Sequence, residues 1–340
     1  MQKNDMRDLV IIGAGPAGLS AALYGARAGL DLVVLESNYM AGGQVLTTYE
    51  VDNYLGLPGS NGFDMGMKFK EHVEKLGVAV QSASVEKIEI VTGSDMAEEP
   101  KACGTNDEAK DIQRHFILHT SEGQIFCKAV LLATGAVNRK LEVPGEEKFL
   151  GRGVGYCATC DGAFYRGKVT AVVGGSYQAV EDAIYLAGIC EKVYIVHRRD
   201  ALRAGVLLEE QVKKLPNVEI IWNHIPLEIV GQEYVEGIRI KNVKTEDENT
   251  LKVDGVFVAI GTTPSTKLAE GLVDMDAQGY IVAGEMGETS LPGFYVAGDI
   301  RTKQLRQIIT AVADGANAVT AATEYIKKGE CNMHTTFRVV

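Results

Sequence analysis

Residues 10–36, VIIGAGPAGLSAALYGARAGLDLVVLE, and residues 171–197, AVVGGSYQAVEDAIYLAGICEKVYIVH, align without a gap at a constant offset of 161 positions. Gly13 falls on Gly174, Ala22 on Ala183, Tyr24 on Tyr185 and Glu36 on His197. Each copy runs from an apolar stretch through a glycine turn into an Ala-rich helical stretch, and then into a second apolar stretch. That is the strand–turn–helix–strand order of a βαβ unit. A chain carrying it twice is committed to an α/β architecture with two parallel sheets.

The first copy reads Gly13-x-Gly15-x-x-Gly18, with Pro16 and Ala17 opening the helix. Gly13 permits the tight turn, Gly15 lets a pyrophosphate approach the backbone, and Gly18 allows close helix–strand packing. Unpaired N–H groups at the helix start suit the phosphates. Glu36, at the second strand's end, can accept hydrogen bonds from ribose hydroxyls. The second copy ends differently, in His197-Arg198-Arg199, with Arg203 one turn on. Guanidinium groups suit a 2′-phosphate, where a carboxylate suits a free 2′-hydroxyl. The first site therefore favours an unphosphorylated adenosine such as that of FAD, and the second NADPH. The second fingerprint is Gly174-Gly175-Ser176-Tyr177-Gln178-Ala179. Ser176 replaces the tightest glycine and fits only with negative φ, and Tyr177 puts a bulky ring beside the phosphate path.

The tail, FYVAGDIRTKQLRQIITAVADGANAVTAA (294–322), reads as a strand, a Gly298-Asp299 turn and a helix. Asp299 can accept a ribityl hydroxyl bond or serve as a turn residue and cap. Ala133-Thr134-Gly135 and Ala259-Ile260-Gly261 are similar strand ends, read as the exits where the chain crosses between domains. These exits predict a first domain of residues 1–139 and 263–340, interrupted by a second of residues 140–262.

GYCATCDGAF, residues 155–164, supplies the chemistry. Cys157 and Cys160 are the one close pair among six cysteines, at 103, 127, 157, 160, 190 and 331. In a long chain such a pair is more often catalytic or metal-binding than a staple. A structural zinc site would need a second Cys/His pair at comparable spacing, and His119, His197 and His224 are scattered, so no metal is expected. Asp161, directly behind the pair, is a candidate acid/base or a plain cap. The composition, 46% hydrophobic and 23% charged with a net charge of −11, is that of a globular chain and disfavours nucleic acid or anionic membrane as partners. The N-terminal MQKNDMRDLV lacks a signal-peptide apolar run and no stretch offers ~20 apolar residues, so the sequence reads as cytoplasmic.

With these motifs in view, the chain resembles the low-molecular-weight thioredoxin reductases over nearly its whole length. The resemblance rests on Gly13-Ala14-Gly15-Pro16-Ala17-Gly18, Gly42-Gly43-Gln44, Cys157-Ala158-Thr159-Cys160-Asp161-Gly162, His197-Arg198-Arg199-Asp200, and Gly298-Asp299 followed by Arg306-Gln307. It implies two Rossmann-like, three-layer ββα domains, the NADPH domain inserted into the FAD domain. It also implies a homodimer, thioredoxin as client, and Gly43, Gln44, Asn53, Asp299 and Gln307 on the flavin. By the same resemblance, Cys160 faces the flavin and Cys157 attacks the partner's disulfide. A different electron donor, another small disulfide or glutaredoxin-like client, and a flavin-bearing redox sensor without turnover remain open alternatives. The polar stretch 93–113 departs from the family pattern and reads as an elongated hairpin loop with Cys103 as an exposed bystander.

Replacing Arg198 and Arg199 together by alanine is expected to remove about 2–4 kcal/mol of the preference for NADPH over NADH, at about 1.5–3 per charge-assisted bond discounted for exposure. The ratio of kcat/KM for the two nucleotides measures it, and an unchanged ratio would place the phosphate elsewhere.

Overall fold

The computed structural model describes residues 6–48, 51, 53–91 and 114–335, with only the backbone for residues 47 and 330–335. The polar stretch 93–113 and Cys103 fall outside the described residues. The chain divides into two compact units.

The first unit comprises residues 1–47, 61–137 and 264–340. It begins with β1 (Met6–Ile12), α1 (Pro16–Arg27) and β2 (Leu32–Glu36), followed by α2 (Gly62–Glu74), β3 (Val80–Ser82), β4 (Val85–Val91), β5 (His115–Thr120) and β6 (Gly123–Leu132). β1 pairs in parallel with β2 on one edge and β6 on the other. The ten-residue β6 serves two partners on its far edge. Its first half pairs antiparallel with β5, and its last three residues pair in parallel with a late strand, Phe294–Val296. Leu9 and Ile11 join one buried cluster with α1 and the C-terminal helix, while Val10 and Ile12 join a second on the opposite face. Burial on both faces is why β1 reads as a continuous apolar run.

The crossing strand β7 (Ala136–Asn138) leads to the second unit, residues 48–60 and 138–263. Here come β8 (Val154–Gly155), α3 (Ala158–Asp161), β9 (Val169–Gly174), α4 (Tyr177–Ala187), β10 (Lys192–His197), α5 (Val206–Lys213) and β11 (Val218–Trp222). An antiparallel meander follows, β12 (His224–Gly231), β13 (Val235–Asn242) and β14 (Glu248–Lys252), and then β15 (Gly255–Ala259) and the return strand β16 (Thr262–Pro264), which pairs with β7. The parallel sheet runs β11-β10-β9-β15-β8. Val172 faces the cluster shared with α4, and Ala171 and Val173 face the one shared with Ile229, Ile238 and Ile240 of the meander. Helices, parallel sheet and meander make three layers. The chain then completes the first unit with β17 (Phe294–Val296) and α6 (Ile308–Thr335).

The order β3-β2-β1-β6 in the first unit repeats as β11-β10-β9-β15 in the second. The duplication extends past the aligned segment, because Gly42 N–H donates to the Ala14 carbonyl at 2.8 Å and Arg203 N–H to the Gly175 carbonyl at 2.7 Å. One boundary differs from the sequence expectation: residues 48–60 group with the second unit rather than the first. The reason is local, since Asn53 Nδ2 lies 4.0 Å from Cys160 Sγ. Among the described residues no helix is long and apolar enough to cross a membrane.

In the first unit, α6 packs on α1 at Gly315, where a Cβ would sit 2.0 Å from the Ala17 carbonyl oxygen. Gly315→Ala gains about 1 kcal/mol of helix propensity. The backbone collision outweighs it at about 1–3 kcal/mol or more. The FAD-loaded variant is therefore expected to melt below wild type; an equal or higher midpoint would show that α6 can slide off α1 without loss.

Candidate functional site

In the first unit the turn after β1 is bare backbone. Gly13 has φ +104°, and a Cβ there would stand 2.5 Å from the Ala133 carbonyl oxygen. A Cβ on Gly18 would stand 1.9 Å from the Gly13 oxygen, and one on Gly43 3.0 Å from the Gly15 Cα. These glycines form a cradle that side chains would fill, at the N-terminus of α1, where the first N–H groups have no helical partner. Pro16 starts the helix, its absent N–H costing nothing there. Glu36 is buried at the end of β2. Its Oε2 accepts from Ala14 N–H at 2.8 Å, and its Oε1 accepts from both N–H and Nδ2 of Asn38 at 2.8 Å. Asn38 escaped the sequence reading, although its place two residues after a strand-end carboxylate was the available signal.

Around the same sheet edge, Thr134 Oγ1 donates to the Ser265 carbonyl at 2.8 Å, Ser265 N–H donates to the Gly135 carbonyl at 2.9 Å, and Gln44 Nε2 donates to the Ala136 carbonyl. The Gly298-Asp299 turn follows β17, with a Cβ on Gly298 only 3.0 Å from Ala17 Cβ. Asp299 Oδ1 is buried and has no hydrogen-bond partner. Burial pushes its carboxyl above the usual range, against the pull of Lys303 and Arg306, and Asp314 adds to the push. A buried acceptor without a donor beside a glycine cradle fits a flavin dinucleotide whose hydroxyls supply the missing donor. Arg306 and Gln307 precede α6, Arg306 Nε donating to the Asp299 carbonyl at 3.5 Å. Asn53 belongs to the second unit.

In the second unit, Gly174 repeats Gly13: a Cβ there would meet the Ala259 carbonyl oxygen at 2.3 Å. Ser176 fits without strain, at φ −83° against −77° for the equivalent Gly15, and its Oγ caps α4 by accepting from Ala179 N–H at 3.5 Å. Tyr177 is largely exposed, and Glu181, one turn along α4, raises its hydroxyl above the usual range. Gln178 lies in the first turn of α4. The buried His197 ring packs on Gly175, where a Cβ would lie 2.2 Å from Nδ1 and Cε1. Its Nε2 donates to the Ala201 carbonyl at 3.0 Å. Burial, then the charges of Arg203, Arg199 and Arg198, hold the imidazole below its usual range and neutral. Where the first unit has a carboxylate gripping Ala14, the second has an uncharged ring covering the equivalent glycine. Arg198, Arg199 and Arg203 are exposed, and among the described residues none of their guanidinium groups has a hydrogen-bond or ion-pair partner. Ile260 and Gly261 follow β15, at the same sheet edge as Gly174.

Cys157 and Cys160 form a disulfide, with Cα atoms 5.3 Å apart. Cys157 is the N-cap of the one-turn α3, its Sγ accepting from Cys160 N–H at 3.2 Å. Asp161 caps nothing with its side chain, and burial raises its carboxyl to about 6. A Cβ on Gly155 of β8 would come within 2.9 Å of its Oδ2. Cys127 and Cys190 are buried free thiols, and burial pushes both up, away from thiolate chemistry. Asp182 on α4 is buried at 8% exposure, and burial followed by Glu181 raises its carboxyl to about 7. It also escaped the sequence reading; its alignment with the buried Ala21 of the first copy was the signal.

A cysteine disulfide in a chain with two dinucleotide-type βαβ folds defines a nucleotide-linked disulfide oxidoreductase. Residues 7–315 match the family described as pyridine nucleotide-disulphide oxidoreductase. A 34.2 kDa protein in the rubredoxin operon of Clostridium pasteurianum is 41% identical over 327 residues, covering 96% of this chain and 99% of that protein. A thioredoxin reductase of Listeria monocytogenes is 40% identical over 323 residues, 94% of each chain. The crystal structure of a thioredoxin reductase from Streptococcus pyogenes matches with a TM-score of 0.83 at 39% identity, covering 96% of this chain and all of that one. The chain belongs to the pyridine nucleotide-disulphide oxidoreductases, in their low-molecular-weight thioredoxin reductase branch, whose cofactors are FAD and NADPH.

The raised carboxyl of Asp182 makes a testable contribution to stability. The folded chain holds this proton up to about pH 7, whereas the unfolded chain releases it near the ordinary carboxylate value. Stability is therefore lost as pH rises from about 4 to about 7. Asp182→Asn should flatten that decline by about 2–4 kcal/mol, at about 1.4 kcal/mol per unit. Denaturant midpoints of the two proteins at the ends of this range check it; parallel pH profiles would show that Asp182 titrates alike in both states.

Proposed function

We propose that this chain reduces the disulfide of thioredoxin with electrons from NADPH, passed through FAD to Cys157 and Cys160. The observation carrying this reading is the closed Cys157–Cys160 disulfide in a unit that also presents three unpartnered guanidinium groups at the end of β10. The first unit is the FAD site, on the glycine cradle, the Glu36 carboxylate and the open acceptor of Asp299. The second is the NADPH site, where Gly174, Gly175 and Ser176 leave the start of α4 open and Arg198, Arg199 and Arg203 suit the 2′-phosphate.

FAD, when bound, would supply the chemistry that links hydride transfer from NADPH to two-electron reduction of a disulfide. On the protein side, the electron pair breaks the Cys157–Cys160 bond and leaves two thiolates, of which Cys160 takes up one proton while Cys157 stays ionised. Asp161, with a carboxyl raised to about 6, sits directly behind the pair as the group that exchanges this proton near pH 6. The Cys157 thiolate then attacks the client disulfide and forms a mixed disulfide. Cys160 displaces the reduced client and closes the original bond. The closeness of Asn53 to Cys160 supports Cys160 as the flavin-facing sulfur, given the flavin contact that the family resemblance assigns to Asn53. The same resemblance underlies a homodimer. A net charge of −11 and a reducible cysteine pair fit a cytoplasmic setting without nucleic acid.

Cys160→Ser is expected to retain bleaching of the bound flavin by NADPH while thioredoxin reduction falls to background. Stopped-flow absorbance and a coupled thioredoxin assay separate the two half-reactions. Full turnover in the variant would sink the cysteine assignment, and faster bleaching by NADH or reduced ferredoxin would sink the donor assignment.

A further inference from the structure

Three cations follow Asp299 within seven residues, Arg301, Lys303 and Arg306, and each is held by another group. Asp314, on the second turn of α6, accepts from Arg301 Nε at 2.9 Å and Nη2 at 2.6 Å, from Lys303 Nζ at 2.9 Å and from Gly298 N–H at 3.0 Å. The side chains of Arg301, Lys303 and Asp314 are 11%, 7% and 7% exposed. Arg301 Nη1 also donates to the carbonyls of Ala283 and Thr302. Arg306 reaches the backbone carbonyls of Asp299 and Arg301 and lies over the Tyr280 ring at 4.2 Å. Asp299 Oδ1, by contrast, is buried with no donor.

A buried carboxylate with ammonium and guanidinium groups nearby would ordinarily collapse into an ion pair. It does not here, because Asp314 takes three hydrogen bonds from Arg301 and Lys303 and a fourth from Gly298 N–H, filling its own acceptor sites in doing so. We infer that Asp314 is a positioning residue for the flavin: by holding Lys303 and Arg301, it keeps the Asp299 acceptor open for a cofactor hydroxyl. The Gly298 N–H bond ties the same carboxylate to the turn that presents Asp299. Lys303 is the cation at issue. It is among the charges that pull on the Asp299 carboxyl, whereas Arg301 is not.

This inference rests on the reading of the first unit as the FAD site. Asp314→Asn preserves size and an amide oxygen for Arg301 but releases Lys303 to pair with Asp299. In apoprotein stripped of flavin and titrated with FAD, followed by quenching of flavin fluorescence, this variant is expected to bind about 10- to 100-fold more weakly than wild type, the effect of one charge-assisted hydrogen bond. Lys303→Met should undo the loss, so the double variant binds within about fivefold of Lys303→Met alone, a non-additivity that a mere structural brace does not produce. Unchanged affinity in Asp314→Asn, or a double variant more than about fivefold weaker than Lys303→Met, would overturn the inference. Where Asp314→Asn yields no soluble protein, the Lys303→Met pair alone decides. Wild-type apoprotein that takes up no FAD would overturn the FAD reading itself, and this inference with it.

Discussion

The close approach of a turn to the neighbouring strand is the constraint on which both units depend. At Gly13 and again at Gly174, the chain leaves the central strand so near a carbonyl of the adjacent parallel strand that no Cβ fits. This approach sets the helix start over the carboxyl edge of the sheet, where backbone N–H groups are without helical partners. Several groups of the first unit lie at the ends of strands along that edge: Glu36 at the end of β2, Thr134 and Gly135 after β6, and Gly298 and Asp299 after β17. Parallel pairing brings those strand ends level, and the two-sided core makes the register costly to change.

Charge then separates two sites built on one backbone plan. Glu36 spends both oxygens on backbone and amide donors, so it is fixed before any ribose arrives. At the matching place His197 is neutral and buried, and the positive charge moves outward to the exposed Arg198, Arg199 and Arg203. A buried carboxylate needs donors within reach, whereas an exposed guanidinium can wait in water at little cost. The same principle appears in Asp314, which stays ionised although burial opposes its charge, because Arg301 and Lys303 more than compensate.

Much of this was legible in the sequence because it is local. The repeated βαβ unit, its glycines and its strand-end charges lie within single stretches of about 27 residues, and periodicity and spacing report such features directly. The disulfide pair was legible for the same reason. Features made by tertiary contact were not. Asn53 is next to Cys160 in space but 107 positions away in the chain, so the grouping of residues 48–60 with the second unit could not be read from composition. The triad of Arg301, Lys303 and Asp314 crosses from a loop to a helix, and each member alone looks like an ordinary surface charge. Ser176 and Tyr177 misled in the other direction. Their residue types imply crowding, whereas Ser176 has an extended backbone with negative φ and Tyr177 is largely exposed.

The packing of His197 on Gly175 carries a consequence for descent. The first unit has Ala14 where the second has Gly175, and Glu36 where the second has His197. With the imidazole in place, a methyl group at position 175 would lie 2.2 Å from the ring, so that replacement is closed until the ring has gone. With a carboxylate at the strand end, glycine and alanine are both tolerated beneath it, because the bond there is made by the backbone N–H. The two differences thus fix an order of steps. A lineage passing from the first arrangement to the second must shed its methyl before it acquires its imidazole, and a lineage returning must take the steps in the opposite order. The intermediate, glycine under a carboxylate, is the one passable ancestor on either route.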